Sequence, residues 1–164
     1  MNTHARLVCA LVMLIALPAL SSPPARAGHV LITCALDGDG AYGFDAQTNI
    51  DSYQWRGEID RCTSALGAVS PEQGTFTGSG FVATVGASGT GTMTITWANN
   101  ERSVLEFTMT GIPELLGMTG RVTSGLYVGE TMTMELDCKL KDTGACFAPG
   151  ASTWSFLGTV EFGL

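Results

Sequence analysis

From residue 28 onward, apolar and polar residues alternate nearly one for one along most of the chain. That period of two is the signature of a half-buried β-strand, one face packed and one wet. In Ser52–Cys62, Tyr53, Trp55 and Ile59 fall on one face, while Gln54, Arg56, Glu58 and Asp60 fall on the other. Thr90–Trp97 sets Met93, Ile95 and Trp97 against Thr92, Thr94 and Thr96. Arg102–Thr110 turns Leu105, Phe107 and Met109 inward, and Glu130–Cys138 does the same with Met132, Met134 and Leu136. Thr153–Phe162 ends the series with Trp154, Phe156, Val160 and Phe162 on one face. Val30–Leu36, a short Ala41–Asp45, Gly74–Val85 and Met118–Ser124 complete the strands. No window of ten or more residues carries the i, i+3, i+4, i+7 pattern of an amphipathic helix.

Turn signals separate these runs. Asp37-Gly-Asp39-Gly is read as a turn, Ala98-Asn99-Asn100-Glu101 as a hairpin connection, and Gly111-Ile112-Pro113 as a break. Eight or nine antiparallel strands with glycine-rich turns predict an all-β domain. The expected form is an Ig-like or related β-sandwich, with a closed up-and-down barrel as the alternative.

Residues 1–27 depart from this pattern. Arg6 precedes the unbroken apolar run Leu7–Leu17, Pro18 ends it, and Ala25-Arg26-Ala27 forms an A-x-A site. This is the layout of a secretory signal peptide cleaved after Ala27, and the run is too short to span a bilayer. A single domain over 28–164 is expected, outside the cell and without membrane insertion.

Cleavage changes the composition. The 164-residue chain has 8 Lys+Arg, 15 Asp+Glu, 2 His and 5 Cys, a net charge of −7. Without residues 1–27 there remain 137 residues with 6 basic and 15 acidic groups, one His and four Cys. An acidic chain of this kind is no partner for nucleic acid. Cys34, Cys62, Cys138 and Cys146 are even in number and expected as structural disulfides in an oxidising compartment. Three pairings are open. Chain locality favours Cys34–Cys62 with Cys138–Cys146, each closure contributing about 2–4 kcal/mol.

Candidate chemistry is sparse. His29, second in the mature chain, lacks the packed neighbourhood that a catalytic histidine needs. The acid pairs Glu58/Asp60 and Glu135/Asp137 share strand faces at glycosidase-like spacing, yet such acids also serve solubility. The Asp37–Asp45 segment fails the EF-hand spacing, with Ala41 at position five and no Glu at twelve, so no metal or other cofactor is expected. The T-x-T runs lack the fixed period of a solenoid array. Tyr42 and Tyr127 sit among glycines in expected loops, which makes them the candidate ligand-binding aromatics.

The run GTGTMTITWANNERSVLEFTMTG, then VTSGLYVGETM, TGACFAPG and FLGTVEF, resembles a group of small secreted Gly/Thr-rich β proteins of actinobacterial type. The resemblance covers about residues 30–162 and is densest from Gly89 to Val160. It implies an extracellular β domain and brings no catalytic residues. Members often place a Cys in the strand before the GTGT segment, where this chain has Phe81-Val82-Ala83-Thr84. The departure supports Cys138 as the local partner of Cys146.

The expected role is therefore non-catalytic, binding or structural, toward an extracellular ligand or protein. The alternatives are a small carboxylate-dependent hydrolase and a protease inhibitor presenting Lys139–Gly150.

Overall fold

A computed structural model describes residues 32–45, 50–64, 73–83, 88–112, 115–138 and 153–163. They form eight strands: β1 (Ile32–Asp45), β2 (Ile50–Ser64), β3 (Gly74–Ala83), β4 (Ser88–Trp97), β5 (Arg102–Ile112), β6 (Leu115–Gly125), β7 (Thr131–Asp137) and β8 (Thr153–Gly163). Each pairs antiparallel with its neighbours in sequence, and β8 returns to pair with β1. The architecture is all-β, as the alternation predicts, but it is a closed up-and-down barrel and not a sandwich. Both folds bury one face of every strand, so alternation alone does not separate them. The β1–β8 register decides between them, with Ile32 opposite Phe162 and Ala41 opposite Thr153.

Tracing partners from Gly43 through Ser52, Thr90, Thr119 and Glu161 returns to β1 at Thr33, ten residues away. Eight strands with that stagger tilt by about 40° and enclose an interior just wide enough for side chains. Aromatic rings fill it. Trp55 lies at the hub, with ring centroids 5.2 Å from Phe76, 5.8 Å from Phe107 and 5.7 Å from Phe156. Trp154 follows Phe156 at 5.0 Å.

Those rings explain the glycines. Gly40 stands opposite Trp154 in the register, and a Cβ there would lie 2.0 Å from the indole. Gly78 stands opposite Trp55, and its Cβ would lie 1.9 Å from Nε1. Large rings and absent side chains alternate around the wall, so each ring packs into the space that a glycine leaves. This also corrects the reading of Asp37-Gly-Asp39-Gly as a turn. The segment runs through the middle of the continuous strand β1, where Gly38 and Gly40 receive Phe156 and Trp154.

One irregularity matters locally. Ile59 and Cys62 both face inward although three positions apart. Arg61 makes this possible by taking φ 49°, and the β1–β2 register shifts between Thr33 and Ala35. The extra residue is a β-bulge, and it turns Cys62 toward Cys34. The Cys34–Cys62 disulfide joins the two strands there. At the same end, the Ala98–Glu101 connection forms the expected hairpin, with Asn100 at φ 65° and Trp97 N–H donating to Glu101 O at 2.9 Å.

Candidate binding surface

Neither candidate tyrosine is a free loop aromatic. Tyr42 belongs to β1, is half-buried, and stacks on Trp154 with centroids 5.9 Å apart. Its inward position follows from the same period of two that places Gly38 and Gly40. Tyr127 does lie in the β6–β7 turn, at φ 64°, but it too is half-buried. It stacks on Phe162 at 5.8 Å and meets Trp97 edge-on at 5.6 Å. Burial and then the Glu101 carboxylate hold its phenol above the ordinary range. Tyr42 covers one end of the barrel and Tyr127 the other, because an open barrel end exposes rings that need an apolar cover.

Beneath Tyr127 a buried polar chain fixes the turn. Trp97 Nε1 donates to Ser103 Oγ at 2.8 Å, and Ser103 Oγ donates to Leu126 O at 2.6 Å. Ser103 is fully buried, so both bonds are needed to offset its desolvation.

Of the four cysteines, Cys34 and Cys62 pair as expected. Cys138 is buried and disulfide-bonded, and its expected partner Cys146 lies outside the described residues. His29, residues 1–27 and the 139–150 segment also lie outside them. Among the described residues no group of three or more His, Cys, Asp or Glu side chains is placed to hold a metal ion.

The acid pairs sit on the outer wall. Glu58, Asp60 and Glu135 are exposed and Asp137 is half-buried. The register adds what spacing along one strand could not show. Asp37 faces Glu58 across the β1–β2 ladder, and Asp39 faces Arg56 one rung on. The Asp39–Arg56 rung and the next one, Ala41–Gln54, continue outward across the wall. Arg56 is opposite Thr77 and Thr77 opposite Thr94, while Gln54 is opposite Ser79 and Ser79 opposite Thr92. On the β8 side Asp39 is opposite Ser155, whose Oγ donates to Asp39 Oδ1 at 2.6 Å.

These outward side chains line a trough of about 780 Å³ running over β8, β1, β2, β3 and β4. Its floor is the backbone at Gly40 and Gly78, with the Trp154 and Trp55 indoles directly behind. A second depression of about 510 Å³ adjoins it through Asp39, Arg56 and Thr77 and carries Asp37 and Glu58. The concavity has a local cause. Glycines on β1 and β3 let the wall settle against the indoles, and the outward residues above them are short. Arg56 makes no ion pair among the described residues, so its guanidinium is available. Sequence reading puts Gln54, Arg56, Glu58, Thr77, Thr92 and Thr94 on ordinary wet faces and Asp37 and Asp39 in a turn. Only the cross-strand register assembles them.

No protein-family model matches the chain, and no curated protein matches it.

Proposed function

We propose that the protein acts outside the cytoplasm as a rigid, non-catalytic barrel that binds through its outer wall. The observation that carries this reading is the occupied axis. Trp55, Phe76, Phe107 and Phe156 meet there, each at most 4% exposed. Barrels of eight strands either fill their interior or hold one small ligand in it. Here the interior is filled, so recognition belongs to the outside, where the trough offers hydrogen-bonding groups. The Cys34–Cys62 bridge and the leader-like N-terminus support an oxidising, extracellular setting.

Two measurements test the reading. Intact mass of the secreted protein should place its start at Gly28 and account for two disulfides. The secreted protein should also co-sediment with cell-envelope material or with a second extracellular component at physiological salt. Absence from the culture supernatant and envelope fractions would remove it.

A carboxylate-dependent hydrolase is the second reading, and the Asp37–Glu58 juxtaposition in the smaller depression is what favours it. Turnover of any glycan, lost in Glu58→Gln, would establish that reading against the first.

A further inference from the structure

We infer that the trough is a glycan site, taking an uncharged oligosaccharide edge-on across β1–β4. This rests on the reading that recognition is external. Its chemistry follows from the two rungs at the trough centre. They present one carboxylate, one guanidinium, one primary amide and several hydroxyls, and the two charges cancel. Sugars offer closely spaced hydroxyls, each both donor and acceptor. The matching surface interleaves an acceptor-only carboxylate, a donor-only guanidinium and two-way amide and hydroxyl groups.

The surroundings argue against other ligand classes. Every strand is hydrogen-bonded on both sides, so the wall has no free edge to pair with an extended peptide. The described residues gather no metal-ligand set. The net charge of −7 disfavours polyanions. The aromatic residues lining the trough, Trp55 and Trp154, are 3% and 2% exposed and present no ring face to it, while the exposed Phe81 lies beyond Ser79, outside the lining. A sugar would therefore bind by its hydroxyl edge and not by stacking a ring face. The bond from Ser155 holds the Asp39 carboxylate in place before the ligand arrives. Such preorganisation lowers the ordering cost of binding.

Two of the three tryptophans lie directly behind the trough floor, while Trp97 lies at the far end of the barrel. Intrinsic fluorescence is thus a direct reporter. The purified protein would be titrated with cellohexaose, chitohexaose, maltohexaose and mannohexaose, by fluorescence and by calorimetry. At least one should bind saturably with Kd below about 1 mM. Arg56→Ala and Gln54→Ala should each weaken that binding about tenfold or more. Glu135→Gln, on β7 and outside the trough lining, should leave it within twofold. Near-UV circular dichroism would verify that each variant is folded.

Saturable binding of none of the four sugars would overturn the inference. So would sugar binding that survives both trough variants unchanged, or saturable binding of an oligolysine peptide in place of any sugar. Envelope co-sedimentation that persists in Arg56→Ala and Gln54→Ala would leave external binding standing while removing the glycan trough.

Discussion

Strands β1–β4 and strands β5–β7 close around the same axis with the same alternation, yet they fill it with different side chains. Inward positions of the first group pair glycines with rings, as Gly40 does with Trp154, Gly78 with Trp55 and Gly80 with Tyr53. The second group uses mid-sized flexible chains, among them Leu105, Met109, Met118, Met132 and Met134. Its one inward glycine between the rims is Gly120, opposite Phe107. A glycine–ring wall is a fixed fit with no slack. A methionine–leucine wall adapts, because unbranched thioether chains fill irregular space. The trough sits outside the first kind of wall. The same fit that locks the rings also shapes the outer surface.

The sharpest way to break this contrast is at the hub. Trp55→Ala removes the ring that three others touch, and about 3–5 kcal/mol of stability should go with it. Denaturant unfolding would read this as a lower midpoint. Replacing Cys34 and Cys62 together by Ala should cost about 2–4 kcal/mol, since the bridge closes a 28-residue interval. Thermal unfolding with and without reductant would show at least this loss in the parent protein, since reductant also opens the Cys138 bridge. Gly40→Ala should cost about 1–3 kcal/mol or more, because its Cβ has no room beside Trp154. Met134→Leu, in the adaptable wall, should cost less than about 1.5 kcal/mol. Adding Trp154→Leu to Gly40→Ala should recover part of the loss. Simple additivity in that cycle would refute the glycine–ring coupling.

The smallest effect concerns Tyr53, whose hydroxyl donates to Thr90 O at 3.3 Å. Tyr53→Phe should cost about 1 kcal/mol at neutral pH. Burial pushes this phenol far above its ordinary value of 10.0. The folded state therefore keeps a proton that the unfolded chain releases. That contribution is whole below pH 10 and is lost as pH rises above it. Melting temperature should fall on the alkaline side, and the fall should be shallower in Tyr53→Phe. An unchanged slope would place the alkaline sensitivity elsewhere.

Much of the fold was legible from alternation alone. The inward faces of β2, β4, β5, β7 and β8 are the ones the pattern assigns, and the Cys34–Cys62 pairing follows from chain locality. The failures share one cause. Gly38 and Gly40 read as turn residues beside Asp37 and Asp39, and nothing nearby in sequence contradicts that. Their partners, Phe156 and Trp154, lie more than a hundred residues away. Tyr42 was misplaced for the same reason, since its stacking partner is also Trp154. Barrel closure is a property of the β1–β8 register and leaves no local mark. The trough was hidden likewise, since Asp39, Arg56 and Thr77 belong to three strands whose wet faces look alike.

The β1–β8 seam also governs how the protein is made. Ile32 and Phe162 face each other across it, from opposite ends of the domain. A chain emerging N-terminus first presents β1 long before β8 exists to cover it. Until then one side of β1 is an unpaired strand edge, open to pairing with another chain. Hairpins from β1–β2 to β7–β8 can form locally and early, whereas the final pairing bridges the longest separation in the domain. Non-local pairing of this kind sets a slow folding rate. Closure therefore needs the complete chain, and until it occurs the open edge of β1 exposes the protein to self-association.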